Sequence, residues 1–154
     1  MTRTPGSLRF ALLFLLLAAT TGCDFGSNSN SPTAPDQSNV PFSTTDLTVG
    51  TGTEAVNGST ATVQYGAWLY SASAPDHKGT QIDQNQLSFV LGANQIIKGF
   101  DQGVVGMKVG GTRRVIVPPS LAYGTQGFQT VPPNAALVFD IGLTNVVVPT
   151  ASGG

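Results

Sequence analysis

The sequence predicts an α+β domain in which an antiparallel sheet is covered on one face by a single short helix. Three observations carry this. Apolar residues alternate with polar or small ones over several stretches, and Gly and Pro fall between those stretches. Only one segment repeats its apolar residues at a spacing of four. A sheet with one apolar face and a helix with one apolar stripe bury both by packing together.

The elements follow in chain order. Leu47 and Val49 mark a short first strand. Val63, Tyr65, Ala67 and Leu69 alternate with Gln64, Gly66 and Trp68 in a second, and Leu87, Phe89 and Leu91 form a third. Ile96, Phe100 and Val104 share one helix face, and Gly99, Gly103 and Gly106 keep that helix short. Arg113, Val115 and Val117 share one face of a fourth strand. Leu137, Phe139, Ile141 and Leu143, alternating with Val138, Asp140 and Gly142, make the last and clearest strand. Pro118-Pro119 and Pro132-Pro133 bracket a loop, 118–133, long enough to be read as functional. The folded domain is assigned to 46–149 and a disordered tail to 150–154.

Residues 1–22 read as an address. Arg3 and Arg9 precede the apolar run Phe10–Ala19, which is shorter than the ~20 residues of a membrane-spanning helix and is followed by small residues. The segment ending Gly22-Cys23 resembles the lipobox of bacterial lipoproteins, which implies lipidation at Cys23 and an exported, lipid-anchored protein facing the periplasm or cell exterior. Residues 24–45, rich in Ser, Asn, Pro and Thr, read with Cys23 as a flexible tether.

Composition excludes much of enzymology. Charged residues make up 10% of the 154 and the net charge is −1, so no basic field exists to attract nucleic acid. A single Cys excludes a disulfide framework and a Cys-based zinc site, and a single His, His77, reads as an exposed loop residue. Arg113-Arg114 reads as surface charge.

The segments VQYGAWLY (63–70), ID (82–83), FVLGANQIIKGFDQGVVGMKVGGTRRVIVPPSLAYG (89–124) and VPPNAALVFDIGL (131–143) resemble, in order, the FKBP-type peptidyl-prolyl cis–trans isomerases. The resemblance spans about 46–148 and implies a twisted antiparallel half-barrel wrapped on one short helix, with an apolar pocket between them. It implies catalytic roles for Tyr65, Asp83, Phe100, Tyr123 and Phe139. It implies substrate contacts from Ile82, Leu87, Phe89, Ile96, Ile97, Phe128 and Val131. Ile82 stands where the family has Phe, Phe100 where many relatives have Trp, and Phe128 where many have His. Thr130 and Val131 fall in a loop one residue shorter than usual. The implied partners are proline-containing unfolded or partly folded exported polypeptides and macrolide inhibitors; with no dimerisation segment read ahead of the domain, a monomer is expected. A lipid-anchored chaperone or prolyl-peptide binding module with little turnover is the alternative.

Such chemistry suits this composition. Rotating a peptide bond costs ~18–20 kcal/mol in lost amide resonance, and for X–Pro only the barrier has to fall because the two end states are close in energy. Apolar walls and a few positioned hydrogen-bonding groups can favour the twisted amide over the planar one. No metal, cofactor or general base is required.

Overall fold

The computed structural model describes residues 36–150. The signal segment 1–22, Cys23 with its expected lipid, the first part of the tether and the tail beyond Thr150 lie outside the described residues. The strands are β1 (Ser43–Thr48), β2 (Thr60–Tyr70), β3 (Lys78–Val90), β4 (Thr112–Val117) and β5 (Leu137–Val147). One helix, α1 (Lys98–Val104), and a 3₁₀ turn over Pro119–Leu121 complete the elements. All pairings are antiparallel, in the order β1-β4-β5-β2-β3. This is the α+β class expected from the alternation.

Period two fixes the inner face. Val63, Tyr65 and Ala67 of β2 lie opposite Leu143, Ile141 and Phe139 of β5, and Phe139 and Leu137 lie opposite Val115 and Val117 of β4. These rows, apart from the half-buried Tyr65, are buried and form the core with Phe89, Leu91, Phe100 and Val104. Helix α1 rests on β4 and β5. It can do so because Gly99 and Gly103, four apart and so on one face, meet Val117 and Val115 directly. A methyl on Gly103 would come within 2.7 Å of Val115 Cγ2, and one on Gly99 would overlap a Val117 methyl.

The helix ends are held from outside. Both carboxylate oxygens of Asp101, buried in the first turn, accept from Gly92 N at 3.0 Å. Arg113 donates to Gly103 O at 3.1 Å and Val105 O at 3.0 Å, supplying donors to carbonyls that a helix C-terminus leaves unpaired. Arg114, on the outer face, makes two bonds to Asp140, at 2.7 and 2.9 Å, and Lys78 pairs with the same carboxylate. Burial alone would raise the Asp140 carboxyl, but the Arg114 and Lys78 hydrogen bonds outweigh it and hold it below its ordinary value. The reading of Arg113-Arg114 as surface charge is therefore corrected: both guanidiniums tie elements together.

Three further expectations change. The first strand starts at Ser43, earlier than the Leu47–Val49 pattern suggests. Leu47, on the edge strand β1, is 47% exposed, and Val49, just past its end, is 74% exposed. Phe42, just before it, makes the contact with the core. The tether is correspondingly shorter than 23–45: β1 and residues such as Gln37 belong to the domain. They are held by backbone and amide bonds that composition does not register. His77 is half-buried, stacked on Tyr70 at 5.1 Å and 16°, with its Nδ1 sealed from solvent and without a partner among the described residues.

The other edge strand, β3, extends from Lys78, well before the Leu87–Leu91 pattern. Several of its amides donate to nearby side chains: Gln84 N to Asp83 Oδ1 (2.8 Å), Gln86 N to Asn85 Oδ1 (2.8 Å) and Val90 N to Gln95 Oε1 (3.0 Å).

Gly99→Ala tests the helix seat. Alanine in an open helix gains about 1 kcal/mol over glycine, whereas overpacking a core costs about 1–3 kcal/mol. Denaturant unfolding is expected to show net destabilisation; a stabilised variant would contradict the contact.

Candidate active site

Between α1 and the inner face of the sheet opens a cavity of about 400 Å³, its exposed lining more apolar than polar. Strand β2 contributes Tyr65 and Ala67, β5 contributes Leu137 and Phe139, and α1 with its entry contributes Ile96, Ile97 and Phe100. Strand β3 contributes Ile82, Asp83 and Leu87; Gln95 precedes the helix, and the long loop brings Tyr123 and Phe128.

Consecutive residues of a regular strand point to opposite faces, so Ile82 and Asp83 should not both line one cavity. A bulge lets them. Ala67 pairs with Asp83 and Trp68 with Gln81, which leaves Ile82 as the extra residue on β3. The bulge sits at the rim of the cavity and aims two neighbouring side chains into it.

The floor is aromatic. Phe100 meets Tyr65 at 5.3 Å and 81°, Phe139 at 5.1 Å and 88°, and Phe89 at 5.8 Å and 67°, all edge-to-face. Such contacts fix ring orientation beyond what burial alone provides. Phe100 is 4% and Phe139 5% exposed, so the floor is firmly packed.

Polar groups sit at the rim. Tyr65 Oη donates to Asp83 Oδ2 at 2.6 Å, while Asp83 Oδ1 accepts from Gln84 N. The carboxylate is thus held at both oxygens although the residue is exposed. Burial, and then the Asp83 hydrogen bond, push the Tyr65 phenol up to about 12. Burial, and then the Asp83 charge, also raise the Tyr123 phenol. Tyr123 Oη and Ile97 N–H donate to no protein atom among the described residues. Phe128, 53% exposed, stacks on Tyr123 at 5.1 Å and 13° and forms the outer lip.

Most of the expected site residues converge here: Tyr65, Ile82, Asp83, Leu87, Ile96, Ile97, Phe100, Tyr123, Phe128 and Phe139. Two do not line the cavity. Phe89 is buried behind Phe100, and Val131 is buried in the core. Val131 is turned inward by reciprocal backbone bonds with Phe128 of 3.0 and 2.8 Å, which send Phe128 out instead. Thr130 is exposed and Ala67, Leu137 and Gln95 join the lining unanticipated. The period-two pattern placed Ala67 beside Tyr65 and Leu137 beside Phe139, so for those two the signal existed. Among the described residues no group of three potential metal ligands converges.

Comparison with known proteins bears on the family and the fold. Residues 51–144 match the family described as FKBP-type peptidyl-prolyl cis-trans isomerase. An FK506-binding protein of Neisseria meningitidis serogroup A is 41% identical over 103 residues, covering 66% of this chain and 92% of that protein. Among solved structures, FkpA from Escherichia coli superposes with a TM-score of 0.58 at 31% identity. That match covers 73% of this chain and 51% of FkpA. AtFKBP13 superposes with the same score and identity, over 71% of this chain and 96% of the other. The chain belongs to the FKBP-type peptidyl-prolyl cis–trans isomerase family.

Proposed function

We propose that this cavity takes a prolyl residue and lowers the barrier to rotation about the preceding peptide bond. The observation that carries the reading is an apolar chamber of about 400 Å³ with a fixed carboxylate, a phenol and a backbone N–H at its rim. The pyrrolidine ring rests on Phe100, between Tyr65 and Phe139. The Ile97 N–H and Tyr123 Oη hold carbonyls on either side of the rotating bond. Desolvation disfavours the planar, more dipolar amide, and the held ends favour the twisted form. Asp83, kept in place by Tyr65 and Gln84 N, orients the twisted carbonyl's surroundings. Phe89 acts through Phe100 rather than on substrate.

Phe128 and Ile82 flank the entrance, so residues next to the proline meet an apolar lip. Clients are proline-containing segments of unfolded or partly folded exported polypeptides. Export and lipid anchoring at Cys23 rest on the sequence of residues 1–23. A macrolide ligand is supported by the naming of the Neisseria relative as an FK506-binding protein. Ile82 and Phe100 offer smaller apolar walls than Phe and Trp would.

In a protease-free proline-peptide assay, Tyr65→Phe and Asp83→Ala are each expected to lower kcat/KM about tenfold, the worth of ~1.4 kcal/mol or one well-placed hydrogen bond. Unchanged values at equal folded content would overturn the site, and suppression of aggregation without turnover would favour the binding-module reading.

The Tyr65 phenol titrates from an ordinary 10.0 when unfolded to about 12 when folded. A raised value means that the folded state holds the proton more tightly, so this stabilisation is complete below pH 10 and is lost as the pH climbs towards 12. The difference in unfolding free energy between the wild type and Tyr65→Phe is expected to stay constant below pH 10 and shrink above it. A third check is macrolide affinity, expected to be weaker than in relatives with Phe and Trp at these two positions and to increase in Ile82→Phe.

A further inference from the structure

The carboxamide of Gln37 completes a hydrogen-bond ladder that the two central strands cannot close themselves. Leu69 and Leu137 are the last paired residues of β2 and β5. One step further, Tyr70 N still donates to Ala136 O at 2.9 Å. The return bond is replaced: Ala136 N donates to Gln37 Oε1 at 2.8 Å, and Gln37 Nε2 donates to Tyr70 O at 3.0 Å. A primary amide offers the same donor and acceptor as a peptide unit, so it fits where the strands have begun to part.

The same residue reaches the long loop. Gln37 N donates to Asn134 O at 3.2 Å, and Asn134 N donates to Gly124 O at 2.9 Å, one residue after Tyr123. That loop needs outside support. Gly124, Gly127, Gln129 and Asn134 all have positive φ, at 58°, 66°, 49° and 57°. For Gln129 and Asn134 this is an uncommon conformation, one that persists where the surroundings impose it. Gln37 lies outside the family-matched span 51–144, in a segment whose composition reads as linker.

We propose that Gln37 is a positioning residue for the isomerase site. By clasping Ala136 and Asn134 it holds the loop that brings Tyr123 and Phe128 to the cavity that Leu137 and Phe139 also line. The proposal rests on the prolyl reading of the pocket. It gives a residue that precedes the family-matched span a part in shaping the site.

The test uses the full chain with Gln37→Ala, Gln37→Glu and, as control, Thr144→Val, which removes a 2.9 Å bond from Thr144 Oγ1 to Thr62 O at the opposite end of the same ladder. Loss of folded protein lowers apparent kcat and leaves KM alone, whereas a displaced substrate-holding loop raises KM. Gln37→Ala is expected to raise KM about fivefold with kcat within about twofold, and to speed amide exchange at Asn134 and Ala136. Thr144→Val leaves both unchanged. In Gln37→Glu the introduced carboxylate accepts from Ala136 N but offers no donor to Tyr70 O. Its KM, relative to wild type at the same pH, should recover as the pH falls through about 4.3 and the carboxyl regains a proton. Wild-type turnover with unchanged KM in Gln37→Ala would overturn the positioning role alone. No turnover in the wild type would overturn the prolyl reading and this role with it.

Discussion

Everything at the pocket depends on how closely α1 approaches β4. Side chains at positions 99 and 103 would force the helix off the sheet, because Val117 and Val115 already occupy that space. With hydrogen in those places the helix sinks onto the sheet. Phe100, on the next position round, then meets Phe139 and Tyr65 edge-on. The entry residue Ile97 is carried to the rim, where its N–H donates to no protein atom among the described residues. A core contact between two glycines and two valines thus decides the depth of a cavity built from other residues. The helix is only seven residues long, too short to be stable alone, so packing rather than propensity maintains it.

The polar part of the site follows a second constraint, the bulge on β3. It presents Ile82 and Asp83 to the same cavity and so puts an apolar wall and a carboxylate side by side. Tyr65, on the neighbouring strand, then reaches the carboxylate without leaving the aromatic floor. One ring serves as wall and as anchor, and burial of that ring is the main reason its phenol resists ionisation.

Much of this was legible in the sequence, and for identifiable reasons. Alternation gave the inner faces of β2, β4 and β5, and a spacing of four gave the helix face bearing Phe100. Motif order then pointed to Tyr65, Asp83, Tyr123 and Phe139. The bulge was not legible from period two, which would have put Ile82 on the far face; only the resemblance put it beside Asp83 at the cavity. Phe89 and Val131 were expected on the cavity wall, but a one-dimensional pattern does not separate a lining residue from the residue packed behind it. β1 was misplaced because an edge strand can be held by its backbone, leaving Leu47 exposed, while Val49 falls just past its end. Gln37 escaped notice because a side-chain amide acting as a peptide unit has no periodic signature.

The side-chain bonds along β3 have a consequence for how this sheet edge meets other extended chains. An open sheet edge is a template on which extended polypeptides can add as a further strand, and such growth is how aggregates propagate. Here Asp83, Asn85 and Gln95 occupy the amides of Gln84, Gln86 and Val90. A visiting chain finds those three donors already engaged. Asp83 does this with the oxygen it does not offer to Tyr65, so the residue that arms the pocket also blunts the border beside it. An edge with these amides engaged offers other chains fewer free donors on which to build a further strand.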